Sequence, residues 1–155
     1  MNVSIAADTP SLAIEQFDVG PRDHVVFGFG AGWQEQEYDS TTGLRWRWLS
    51  ERGELRVRGV DRPLTLRIDG ESPRKYYSRP SKLLVRLGDL VLLNETLTSD
   101  FSLTATVPPD RGDAREQVIT LETDQVFAPA DRSRRSADRR HLGLRMFTVR
   151  IVPAS

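Results

Sequence analysis

Three stretches of this chain bring together side chains suited to chemistry. The first is Gly30-Ala31-Gly32-Trp33-Gln34-Glu35-Gln36-Glu37-Tyr38, followed by Leu44-Arg45-Trp46-Arg47-Trp48, which places all three tryptophans within sixteen residues. In an extended segment Trp46 and Trp48 share one face with Leu44, while Arg45 and Arg47 point to the other. The Trp46/Trp48 face is otherwise apolar and reads as core. Trp33 sits among glycines and polar residues in a loop, where its indole either stacks on a sugar ring or plugs the end of the fold. Glu35 and Glu37 lie two apart and share a face. They either pair with Arg45 or Arg47, which is the better reading, or present carboxylates to sugar hydroxyls. The second stretch, Gly70-Glu71-Ser72-Pro73-Arg74-Lys75-Tyr76-Tyr77, sets paired tyrosines beside Arg74. Such side chains offer large contact area at small entropic cost and can form a binding rim. The structural alternative is a connecting loop with one ring tucked inward. The third, Asp131 to His141, holds five arginines that can meet phosphates. It lacks the interleaved aromatics of a single-strand binder, and two aspartates temper its charge. It reads as a solvated loop, with Asp138 and Arg139 tying it to the fold.

Catalytic constellations are sparse. The two histidines, His24 and His141, have no serine or aspartate at a spacing that suggests a triad. A glycosidase needs two carboxylates held across a bond, usually from distant parts of the chain, and two glutamates on one loop do not amount to that. No phosphate-binding loop, dinucleotide fingerprint, zinc pair or calcium-binding EF-hand loop is present. Gly28-Phe29-Gly30 opens no helix, and Arg111-Gly112-Asp113 is a three-residue match expected by chance. The expectation is a non-enzyme with no catalytic residue, no metal ligand set and no cofactor, although calcium can bind sandwiches through scattered aspartates and backbone oxygens. The residues assigned to a carbohydrate site are Trp33, Glu35, Glu37, Arg47, Arg74, Tyr76 and Tyr77.

The elements that must position these residues are strands. Leu64, Leu66 and Ile68 alternate with polar neighbours, as do Leu55 and Val57, and Phe101, Leu103, Ala105 and Val107. Further strands are expected at Ser11–Asp18, His24–Phe29, Leu44–Leu49, Lys82–Leu87, Leu90–Glu95, Val118–Glu122 and Leu142–Val152. Gly88-Asp89 suits a tight hairpin, and Asp113–Val118 allows one helical turn. Gly30–Gly43 and Phe127–His141 stand out as loops. Short strands with turn residues every 8–12 positions indicate an all-β antiparallel sandwich or jelly roll.

The 155 residues fit one domain, spanning 1–155, and a chain of that length buries roughly 70% of its unfolded surface without staples. There are no cysteines, so disulfides and thiolate metal sites are excluded. Twenty-two basic residues balance twenty-two acidic ones, and Lys75 and Lys82 are the only lysines. Arginine favours bidentate carboxylate pairing and stacking on rings, so a surface laced with Arg–carboxylate pairs is expected. An even charge argues against a nucleic-acid partner. No apolar run reaches the roughly 18–20 residues of a membrane span, and no signal peptide is visible. The chain reads as soluble, without direct membrane insertion, and any export signal or anchor would lie outside it.

Several segments, taken together and in order, resemble a known pattern. They are Gly32-Trp33-Gln34-Glu35-Gln36-Glu37-Tyr38, Thr42 to Arg52, Gly70-Glu71-Ser72-Pro73 with Tyr76, Ile119 to Asp124, Phe127-Ala128-Pro129-Ala130, and Ser136 to Leu144. Over roughly residues 25 to 152 the chain resembles the soluble domain at the C-terminal end of bacterial multi-spanning membrane glycosyltransferases of the mannosyltransferase and arabinosyltransferase type. The resemblance implies a galactose-binding-like jelly roll on the extracytoplasmic side, periplasmic or at the cell surface, beside a transferase using a lipid-linked sugar donor. The membrane-spanning helices of those enzymes are absent here, so neither transferase activity nor catalytic residues carry over. The functional expectation is a carbohydrate-binding or acceptor-positioning module that takes a carbohydrate or glycolipid. The alternative is a structural or protein-interaction domain that binds no sugar.

Overall fold

The computed structural model describes residues 13–16, 25–110 and 116–154. It is an all-β sandwich of antiparallel strands. One sheet has the order β1-β2-β5-β10-β7-β8 and the other β3-β4-β11-β6-β9. The first comprises β1 (Ala13–Gln16), β2 (Phe27–Phe29), β5 (Arg52–Val57), β10 (Gln117–Thr123), β7 (Ser81–Leu87) and β8 (Leu90–Leu97). The second comprises β3 (Glu37–Tyr38), β4 (Arg45–Leu49), β11 (Leu144–Pro153), β6 (Leu64–Glu71) and β9 (Asp100–Val107). A single helical turn, α1 (Pro129–Arg132), lies in the long connection before β11.

The alternating segments become strands because each can bury one face. Leu55 and Val57, Leu64, Leu66 and Ile68, and Ala105 and Val107 all enter the core between the sheets, joined by Phe27, Leu83, Val85, Ile119, Leu121 and Leu144. Gly88-Asp89 closes the β7–β8 hairpin, with Leu87 opposite Leu90. Gly88 alone takes a positive φ of 60°, which suits a II′ rather than a I′ turn. Gln117 and Val118 belong to β10, so the expected helical turn does not reach them, and residues 111–115 lie outside the described part. So do His24 and the ends of the Ser11–Asp18 segment. The Gly30–Gly43 segment is not all loop, since it contains β3 and a bridge from Trp33 to Leu49.

One face assignment inverts. On β4 the side chain facing the inter-sheet core is Leu49, fully buried opposite Leu144, on the side expected for the arginines. Trp46 and Trp48 therefore lie on the outer face of the second sheet. Trp48 is buried there by a second, smaller core with Tyr77, Phe127 and Leu142, against which Trp46 and Tyr76 pack. Leu44 shares neither core and is 42% exposed, because the strand begins one residue later at the β3–β4 turn. That turn is closed by Asp39, whose N–H donates to the Leu44 carbonyl and whose own carbonyl accepts from Gly43. The outer face of the first sheet carries the expected Arg–carboxylate pairs: Arg56 with Glu54 and Glu116 at 2.9 Å each, and Arg86 with Glu122 at 3.0 Å.

Candidate functional site

The outer core and the strands beneath it form a groove of about 340 Å³, within the range of small-molecule sites. Its floor is the sheet. Trp46 comes from β4, Glu71 from the end of β6, and Arg145 from β11, where cross-strand pairing sets Arg145 between Trp48 and Glu71. Arg145 Nη2 donates to Glu71 Oε2 at 2.9 Å, and the guanidinium lies 4.9 Å from the centre of the Trp46 ring. The walls come from connections. A 3-10 turn at Arg74–Tyr76 presents Tyr76, which stacks on Phe127 at 3.9 Å with planes 15° apart. The exposed Lys75 ammonium lies 5.0 Å from the centre of the Tyr76 ring.

The opposite wall is held by Arg140. Its Nη1 donates to Glu37 Oε2 at 2.9 Å, and its Nε and Nη2 bind the Asp138 carboxylate at 2.7 to 3.2 Å. These bonds hold the Asp138 carboxyl below its ordinary value and push the Arg140 guanidinium up, so both stay charged at neutral pH. Arg140, not Arg139, ties the arginine-rich loop to the sheet. Behind the wall, Tyr77 Oη is buried and donates toward the carbonyls of Leu142 at 3.0 Å and Gly143 at 2.8 Å. Burial pushes the Tyr77 phenol above its usual value, so it stays a donor.

Of the seven residues assigned from sequence, the groove gathers Glu37 and Tyr76. Tyr77 is the inward-tucked ring of the pair, supporting the groove from below. Trp33 packs half-buried against the main core, 4.9 Å from Phe29, and donates from Nε1 to the Glu54 carbonyl at 2.9 Å, and it does not line the groove. Arg47 lies over Phe29 at 4.3 Å and donates to the Gln34 carbonyl, facing away from the groove. Glu35 is exposed and Arg74 opens the 3-10 turn, and neither lines the groove. Glu37 pairs with Arg140 instead of Arg45 or Arg47. Sequence reasoning missed Trp46, Glu71, Arg140, Arg145 and Phe127 as site residues. The signal for Trp46 lay in the pattern Arg45-Trp46-Arg47-Trp48-Leu49, which offers an apolar residue to both faces. Two such faces suit a strand covered on both sides.

Among the described residues, no group of three or more histidine, aspartate or glutamate side chains gathers as a metal site. None of their helices is long and apolar enough to cross a membrane. The chain matches no known family model and no curated relative.

Proposed function

We propose that this domain is a carbohydrate-binding module whose site is the groove bounded by Trp46, Tyr76, Glu37, Glu71, Arg140 and Arg145. The observation that carries the reading is the convergence of aromatic rings and planar polar groups in one hollow. Sugars present apolar C–H faces that suit rings and hydroxyls that suit carboxylates and guanidinium groups. Both carboxylates in the groove are already matched, Glu37 with Arg140 and Glu71 with Arg145. An uncharged, polyhydroxylated ligand bonds such pairs without leaving one partner unpaired, whereas an anionic ligand must compete with Glu37 and Glu71. Lys75 is the exposed member. Its exposed contact with Tyr76 is worth about 0.5–1 kcal/mol, so a sugar ring displaces it at small cost.

In this reading the sandwich is of the galactose-binding-like jelly-roll kind and works extracytoplasmically. It positions a glycan or glycolipid acceptor for a membrane glycosyltransferase. The test is a screen of the purified protein against neutral glycans, followed by titration of hits. Tyr76→Ala is expected to weaken binding at least tenfold, about 1.4 kcal/mol, with the circular dichroism spectrum kept. Absence of saturable binding to any glycan overturns the proposal. The interaction-domain reading then takes over, since Tyr76 on Phe127 and Arg140 on Glu37 also serve as internal braces.

A further inference from the structure

The groove does not end at its own walls. Tyr76 also lines a second hollow of about 530 Å³, formed with Ser78, Asp124, Gln125, Val126 and Arg132. Trp46 also lines a third, of about 220 Å³, formed with Phe29, Gln36, Arg47, Phe147 and Arg150 where β4 and β11 part, so this hollow runs toward the edge of the main core. The central groove therefore shares an aromatic residue with each of the other two hollows, Tyr76 with one and Trp46 with the other. Arg145 lies beside the shared Trp46, with its guanidinium 4.9 Å from the Trp46 centroid and 5.0 Å from that of Phe147. The third hollow opens where β4 stops pairing. β4 covers β11 only from Leu144 to Met146, and the register of β11 slips between Met146 and Thr148, turning Phe147 out of the regular alternation.

In the second hollow the carboxylate is matched and the guanidinium is held by a carbonyl. Asp124 accepts from Arg79 at 2.7 Å and from the Lys82 N–H at 2.9 Å, and Arg132 donates to the Tyr76 carbonyl at 3.0 Å. A single sugar ring fills one hollow and leaves its neighbours to water. We infer that these hollows form one track, and that the ligand of this domain is an extended neutral glycan spanning Tyr76 and Trp46, not a single sugar or a chain end. The inference rests on the carbohydrate reading and names its substrate class.

The experiment is titration with manno-oligosaccharides and gluco-oligosaccharides of one to five units, followed by tryptophan fluorescence and, for the weakest members, by NMR. The wild-type protein is compared with two blocking variants, Ser78→Trp and Arg150→Trp. Both positions are exposed, lie in the outer hollows and do not line the central groove. Affinity is expected to rise at least tenfold from one unit to three. Each blocking variant should remove much of that gain while leaving single-unit binding unchanged. Equal affinity for one and three units overturns the track and leaves the carbohydrate reading standing. A gain with length that neither variant reduces also overturns it, since the chain then runs elsewhere. Absence of binding at every length, for these and the screened glycans alike, overturns the underlying reading and the track with it.

Discussion

Tyr77→Phe isolates the hydroxyl that closes the outer core. The ring remains, and with it the edge contact to Phe127 at 6.1 Å. What is lost is one buried donor shared between two carbonyls. Leu142 O keeps a partner, because the Phe127 N–H donates to it at 3.0 Å. Gly143 O, whose bond to the hydroxyl is the shorter at 2.8 Å, loses that partner. The cost is therefore one net hydrogen bond of about 1 kcal/mol plus part of the desolvation penalty of an orphaned acceptor, roughly 1–3 kcal/mol in all. For a domain of this size each kcal/mol lowers Tm by about 2–4 °C, so a fall of roughly 2–12 °C is expected. Scanning calorimetry and urea unfolding measure it, with near-ultraviolet circular dichroism reporting the aromatic cluster. Glycan affinity should stay within about twofold, since the Tyr76 platform and both ion pairs are untouched. A Tm within about 1 °C of wild type would refute the reasoning. It would mean that water reaches these carbonyls and that the second core is not closed.

Two further substitutions separate packing from binding. Trp33→Phe removes the bond from Nε1 to the Glu54 carbonyl and part of the packing against Phe29. Stability should drop by about 1–2 kcal/mol in urea titration, with glycan affinity unchanged; a selective loss of affinity would move the platform back to Trp33. Acid should loosen the loop that walls the groove. Asp138 has its folded pKa lowered, first by the hydrogen bonds from Arg140, so its contribution is complete above the unfolded value of about 3.9 and is lost as pH falls through the lower folded value. Asp69 and Glu51 shift in the same direction. Melting temperature should therefore fall below about pH 4, and Asp138→Asn should be less stable at pH 7 with a shallower acid limb. Superposable curves for Asp138→Asn and wild type would remove Asp138 from this account.

Strand content was legible wherever one face of a segment is apolar and the other polar. Leu64, Leu66 and Ile68 have one way to be buried, and so do Leu55 and Val57. The Gly88-Asp89 turn was legible for a local reason, since a two-residue hairpin needs a positive φ that glycine supplies. The site was largely hidden, because it depends on register between distant strands. Arg145 meets Glu71 across seventy-four positions only because β11 pairs with β6 in one register. Arg140 reaches Glu37 across one hundred and three. Period-two alternation says which residues share a face but not which face looks inward. On β4 the two indoles outweighed a single leucine in that choice, yet Leu49 is the residue opposite Leu144 in the main core.

The inversion at β4 also explains why a groove exists where it does. The outer face of a sandwich sheet is ordinarily left to water and carries polar side chains. Here the face holds Trp48 and Trp46, and the connection from Asp124 to Gly143 folds back to cover it, bringing Phe127 and Leu142 onto Trp48 and Tyr77. Coverage is complete over Trp48 and incomplete over Trp46, so the hollow is the seam where the covering segment stops. Both sides of that seam are fixed before any ligand arrives. Tyr77 ties the segment to itself at Leu142 and Gly143, Arg140 ties it to β3, and Arg132 ties it to Tyr76. Walls held in this way lose little further freedom on binding, which is the main cost a shallow polar groove must meet. A loop left to solvent would order its arginines only at the moment of contact. The fold therefore does for this groove what the isolated Trp33 loop, taken from sequence, could not: it holds aromatic and charged groups at fixed separations on a sheet.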